Sequence, residues 1–203
     1  MHHDRLDSPG YKEKFHSEIK KFAELTNHKS RGFRAPTFSL NKNSSWAIDI
    51  LAENDYVYDS SVVPAKTSLY GLPNAEKSPY KISSENIEKN NPDGVLTEFP
   101  LLVTNFLGKK IPAAGGFYLR SLPMKITKNA IKNYEKRGIP SSFYIHSWEL
   151  TPEYMPKLEL PFKDNFATFH NIDDTYKRMN EILEEFEFTS FANYISQEMN
   201  LPN

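Results

Sequence analysis

Apolar positions along the chain alternate between helical spacing and short aromatic or β-branched runs, and that alternation predicts its elements. Tyr11, Phe15, Ile19, Phe22 and Leu25 fall on one helical face, with lysines and glutamates opposite and Ser8-Pro9 as the N-cap and first residue. In "RGFRAPTFSL", Pro36 forces Ala35 to be extended. Ser44 and Ser45 cap a second predicted helix, which carries Trp46, Ile50 and Leu51 and ends near Asn54. "YVYDSSVV" reads as a short strand that runs into Pro64. Residues 65–94 hold Gly71, Pro73, Pro79, Pro92 and Gly94 without a sustained period, and so long a structureless run inside a domain is usually functional or disordered.

Strand character resumes in "VLTEFPLLV". Gly115-Gly116 reads as a tight turn, and residues 124–137 predict a basic helix stopped by Gly138. "SSFYIHSWEL", residues 141–150, predicts a buried strand through Phe143, Tyr144 and Ile145 that ends on His146, with Trp148 and Glu149 just beyond. "DDTYKRMNEILEEF" predicts a capped amphipathic helix with Tyr176, Met179, Leu183 and Phe186 on one side, and "EFTSF" a closing strand. Neither a repeat nor an interdomain linker is visible. Residues 1–203 therefore read as a single α/β domain with a mostly parallel sheet.

Composition narrows the chemistry. Twenty-five basic and 26 acidic residues leave a formal net charge of −1, which gives no electrostatic case for a nucleic-acid partner. Aromatics make up 13% of the residues, which suits either an aromatic core or a surface that stacks on sugar rings. With no cysteine, disulfides, thiol catalysis and thiolate metal sites are excluded, so any metal must rest on His, Asp and Glu. No apolar run approaches the roughly 20 residues of a membrane helix. "MHHDRLDSPG" lacks the basic start and apolar stretch of a secretory signal, which points to the cytoplasm. Opening on two histidines and an aspartate, the chain reads as if its beginning were cut.

The candidate residues follow from these elements. A parallel strand delivers its last side chains to the edge where active sites gather, and an imidazole there titrates near neutrality and can hand over a proton. His146 fits that place, although a core histidine bonded to a backbone carbonyl would fit it too. Arg34, between an aromatic residue and the fixed Ala-Pro, could orient a carboxylate through paired hydrogen bonds or be an ordinary surface arginine. Asp59 is either a groove residue at a strand end or the start of a turn. Of His2 and His3, adjacent and pointing apart, at most one suits a metal. His16 and His28 read as surface residues, and His170 as a structural hydrogen-bonding group.

Taken together, "RGFRAPTFSL" and "SSWAIDILAENDYVYDSSVVP" resemble the third and fourth motifs of the NodB-homology polysaccharide deacetylases, carbohydrate esterase family 4. "TEFPL", "AAGGFYLRSLP", "FYIHSWELTP" and "FHNIDDTYKRMNEILEEFEFTSF" are similar, in order, to the C-terminal region of the exopolysaccharide-associated branch. The resemblance covers the chain from His3 to about residue 192. It implies a distorted (β/α) barrel, incomplete at its N-terminus, with a divalent metal, usually zinc, at its mouth. It also implies hydrolysis of N-acetyl groups from an amino-sugar polysaccharide. On this resemblance His146 is the general acid toward the leaving amine, and Arg34 orients the catalytic aspartate. Ile145 lies near the acetyl methyl, the backbone N–H of Thr37 helps hold the oxyanion, and Asp59 lines the groove. Trp148, beside His146 in the last motif, joins them in contacting substrate. His3 matches the last histidine of the second motif and is the one metal ligand retained. The aspartate pair of the first motif has no counterpart.

Three functions are therefore in view. The first is a metal-dependent polysaccharide N-deacetylase present as a truncated chain, inactive alone. The second is a non-catalytic carbohydrate-binding relic of that fold. The third is a complete hydrolase of another type that uses His146 with Glu149 or Asp59.

Overall fold

The computed structural model describes residues 5–27, 30–156 and 158–199, with residues 198 and 199 described by backbone alone. Helix α1, Tyr11–Leu25, buries Tyr11, Phe15, Ile19 and Ala23. The predicted stripe is thus right for its first half, whereas Phe22 and Leu25 are 50% and 75% exposed. Ser8 does not cap the helix with its side chain. The N-cap position is taken by Gly10, in the left-handed region at φ +69°, after a turn in which the Tyr11 N–H donates to the Ser8 carbonyl. Helix α2, Ala47–Glu53, places Ala47, Ile48, Ile50 and Leu51 against the same core.

Four short strands form the main sheet: β1 Gly32–Phe33, β2 Tyr58–Asp59, β3 Tyr80–Ile82 and β4 Leu96–Glu98, in the order β1-β2-β4-β3. β1, β2 and β4 run parallel and β3 antiparallel, a register that lays Phe33, Asp59, Glu98 and Tyr80 in one row across the sheet. "YVYDSSVV" contributes only its Tyr58–Asp59 step to the ladder. Residues 65–94 contain β3 and a series of tight turns, with the Tyr80 hydroxyl donating to the Ile87 carbonyl. A hairpin of β5, Val103–Phe106, and β6, Lys109–Pro112, follows, turning through Leu107 and Gly108, both at positive φ.

Helices α3 Gly116–Ser121, α4 Met124–Glu135, α5 Ser147–Leu150, α6 Phe162–Phe169, α7 Thr175–Glu185 and α8 Phe191–Met199 complete the chain. They surround a second core of Leu101, Leu102, Leu119, Ile131 and Ile182. On α7 the buried positions are Thr175 and Ile182, with Phe186 just after them, while Tyr176 and Leu183 of the predicted stripe face outward. Arg178 accounts for the rotation, because its guanidinium donates to the carbonyls of Leu119 and Leu122 at the end of α3.

Two predicted strands do not form. At 141–146 only Ser142 bridges, in parallel, to Leu101, and Phe143 to His146 continue as extended chain without a ladder. "EFTSF" instead leads into α8, whose Phe191 stacks on Phe99 with ring centroids 4.4 Å apart. The result is a mixed α/β arrangement without a closed barrel among the described residues. No described helix is long and apolar enough to cross a membrane.

Candidate functional site

His146 sits at the junction of the extended 143–146 segment and α5. Its backbone is extended (φ −88°, ψ 144°), and it acts as the N-cap of the helix. Three residues on, the Glu149 side chain reaches back to the cap residue, as in one half of a capping box. Glu149 Oε2 accepts the His146 backbone N–H at 3.0 Å and faces ring Nδ1 at 3.0 Å. A carboxylate can only accept, so Nδ1 carries the hydrogen and Nε2 is left as the ring nitrogen available to a ligand. The imidazole is half-exposed, while Glu149 is buried. Burial pushes the Glu149 carboxyl up, but the hydrogen bonds from His146 and the charges of His146 and Arg120 outweigh it, so the net shift is downward.

Aromatic rings bring the other candidates to this place. Trp148 stacks on the His146 ring at 5.4 Å and 24°. Tyr144 meets His146 edge-on at 5.4 Å, and the Arg34 guanidinium lies 5.2 Å from the centroid of the same Tyr144 ring. Phe38 packs against Tyr144 at 5.2 Å and also lies under Arg34. Burial and then the Glu149 charge push the Tyr144 phenol up to about 12, against the pull of Arg34. Arg34 and His146 therefore flank one ring, and Ile145, between Tyr144 and His146 in sequence, is half-buried. Thr37 is exposed next to Phe38; its hydroxyl accepts from Arg5 at 3.0 Å and donates to the Pro36 carbonyl. Both Thr37 and Phe38 have positive φ (52° and 51°), an uncommon state for a β-branched residue that marks a constrained loop.

Behind Arg34 lies a buried polar network. Arg34 Nε donates to the Ser60 carbonyl at 2.8 Å and its Nη2 to the Ser60 hydroxyl at 2.7 Å. The Ser61 hydroxyl donates to Asp59 Oδ1 at 2.7 Å while accepting from the Ala35 N–H, and Glu98 Oε1 accepts from the Val62 N–H. Asp59 is fully buried and faces this network rather than a groove. Glu98, equally buried, leaves Oε2 without an N–H or hydroxyl donor, and the Asp59 carboxylate is its neighbour. Burial first, then the Asp59 charge and the hydrogen bond to it, raises the Glu98 carboxyl well above its ordinary range. A proton on Glu98 donated to Asp59 satisfies both side chains.

The family model described as "Domain of unknown function (DUF3473)" matches residues 60–196. The chain belongs to this family. No curated protein and no solved structure matches it. The DUF3473 span includes Glu98, Arg120, Tyr144, His146, Trp148 and Glu149, whereas Arg34, Thr37 and Asp59 precede it.

His3 lies outside the described residues, as do His2 and His28. Among the described residues no group of three or more His, Asp or Glu side chains could hold a metal ion, so they do not by themselves fit the expected zinc. His170 stacks on Phe166 at 4.5 Å, consistent with a structural role, and His16 lies 3.8 Å from Glu53 on the surface. Sequence reasoning missed the Asp59–Glu98 contact, the Tyr144 ring and the purpose of Gly115-Gly116. A Cβ on Gly115 would fall 2.0 Å from the Tyr144 ring, and one on Gly116 would fall 2.0 Å from Glu149 Oε1. The available signals were a Glu within the apolar "VLTEFPLLV", an Arg within the apolar "GGFYLRSL", and the i,i+3 spacing of His146 and Glu149.

Proposed function

We propose that this chain carries the proton-donating side of a metal-dependent hydrolase that removes N-acetyl groups from an amino-sugar polysaccharide. The observation that carries the reading is the tether of His146 Nδ1 to a buried Glu149, which leaves Nε2 as the outward nitrogen. In the imidazolium form, Nε2–H is the donor to the amide nitrogen as the tetrahedral intermediate collapses. The C–N bond breaks, the nitrogen leaves as an amine with that proton, and the imidazole keeps its Nδ1–H on Glu149. The Trp148 ring beside it offers a flat apolar surface for a sugar face, and Arg34 is the cation nearest the shared Tyr144 ring.

The resemblance to NodB-type deacetylases adds the substrate class and a (β/α) barrel, a reading supported by the parallel order of β1, β2 and β4 with α2 between the first two. It also adds zinc. The described residues make no metal site, and the steps assigned are those of His146 and its neighbours alone.

The test is acetate release from an N-acetylglucosamine oligomer, with zinc present and any in-frame coding sequence upstream of Met1 included. His146→Ala is expected to lower turnover by about 100-fold or more. Turnover that ignores this substitution overturns the proposal. Binding of the oligomer without any acetate release identifies a carbohydrate-binding protein instead.

A further inference from the structure

Arg120, on α3, carries a charge into the protein interior, where its side chain is only 1% exposed. Desolvating a guanidinium is costly unless a counter-charge and further acceptors meet it. Here Nη2 donates to Glu149 Oε1 at 3.1 Å and to the Ala167 carbonyl at 3.2 Å, and Nη1 donates to the His170 carbonyl at 2.6 Å. The two oxygens of Glu149 are thereby divided. Oε1 belongs to Arg120, while Oε2 takes both the backbone and the ring N–H of His146. Gly116 leaves the space this carboxylate occupies.

We propose that Arg120 is a positioning residue for His146: acting through Glu149, it locks the imidazole's orientation and moderates the carboxylate's hold on the imidazolium proton. A carboxylate held at Oε1 by Arg120 and at Oε2 by the backbone and ring N–H of His146 cannot rotate freely, so Oε2 stays where Nδ1–H can reach it. The guanidinium also shares the negative charge. Without Arg120, the whole charge of Glu149 would act on the imidazolium and hold its proton more tightly. Among the described residues, the other charged and titratable groups around this cluster include Tyr144, with Arg34 and Tyr118 around its ring, and His170, whose carbonyl meets Arg120. The catalytic consequence rests on the proton-donor reading of His146; the coupling between the two side chains does not.

The experiment is an NMR titration of the His146 ring in the unaltered protein and in Arg120→Gln. The midpoint is expected to rise by about one pH unit in the variant, a tenfold tighter proton, and Arg120→Lys is expected to bring it back toward the original. In the unaltered protein the Arg120 guanidinium resonances are expected to shift with the His146 midpoint, a readout independent of whether Arg120→Gln folds. A midpoint that does not move in folded Arg120→Gln, or Arg120 signals that ignore the His146 titration, overturns the proposal. No substrate is involved, so missing acetate release with this coupling intact would count against the deacetylase reading alone.

Discussion

Asp59 and Glu98 stand directly opposite each other on the adjacent parallel strands β2 and β4, both with no exposed surface. Two carboxylates in that position cannot both be ionised without a large cost, and one retained proton turns the repulsion into a hydrogen bond. Burial and the Asp59 charge assign that proton to Glu98. The folded-state pKa of Glu98 therefore lies above its unfolded value, and the sign follows. Its stabilising contribution is complete below about pH 4.5, the ordinary glutamate range, and is lost as pH rises toward the folded value. Urea denaturation between pH 5 and pH 9 is expected to show stability falling with pH, by up to about 1.4 kcal/mol per unit where the group is the only one responding. Glu98→Gln keeps an N–H donor for Asp59 but cannot titrate, and it is expected to remove that slope. A slope that persists in the folded variant would refute the shared proton.

Gly116 gives a test in which two effects oppose each other. It is the first residue of α3 and has an ordinary backbone, so alanine there should gain from helix propensity, by less than the roughly 1 kcal/mol of a helix interior. The added methyl, however, would fall 2.0 Å from Glu149 Oε1. That oxygen is not the loose end of a flexible chain, because Arg120 and His146 hold the carboxylate on both sides. Overpacking of this kind costs about 1–3 kcal/mol, and the clash is expected to win. Chemical denaturation of Gly116→Ala should show a net loss of stability, and a gain would mean that Glu149 is free to move.

Arg34 is expected to be poorly replaced by lysine. Its planar group lies against Tyr144 and Phe38 while two of its N–H groups reach Ser60. An ammonium offers one point charge and no plane, so the stacking and one of the two hydrogen bonds are lost. Arg34→Lys should destabilise the fold by about 1–3 kcal/mol in urea denaturation. Lysine, unlike arginine, is neutral near pH 12, so the alkaline titration of Tyr144, read by ultraviolet absorbance, should also move upward from about 12. An unchanged tyrosine titration would separate Arg34 from that ring.

What was legible in the chain depended on how local its cause was. Helices α2 and α4 follow from periodicity and from their stop signals near Asn54 and Gly138, and both form close to the expected bounds. The extended run to His146 is also present, but whether it counts as a strand depends on a partner far away in sequence, and only Ser142 finds one. Residues 187–191 have strand composition, yet Phe191 opens α8 and stacks on Phe99, a tertiary contact that strand composition does not reveal. Within the site, His146 and Arg34 were visible as chemistry-bearing residues because proline and aromatic neighbours fix their surroundings. Their common contact, Tyr144, looked like one more core aromatic. The Asp59–Glu98 pair was hidden for a different reason. It is created by sheet register, which joins residues 39 positions apart, and no property of either segment alone specifies it.

Glu149 should produce the opposite pH limb from Glu98. Its folded-state pKa is depressed: burial opposes ionisation, but the bonds and charges of His146 and Arg120 more than offset it. The stability it contributes is thus complete above its unfolded value, about 4.5, and disappears as pH falls through the folded one. The unaltered protein is therefore expected to weaken on both sides of a maximum, through Glu149 toward acid and through Glu98 toward alkali. Glu149→Gln should flatten the acid limb only. It should also cost about 1–3 kcal/mol at neutral pH, because a neutral amide meets the buried Arg120 with less compensation. Thermal or urea unfolding of the two glutamine variants across pH 3 to pH 9 separates these contributions. If both variants changed the same limb, the two carboxylates would not occupy the opposite protonation states that their surroundings impose.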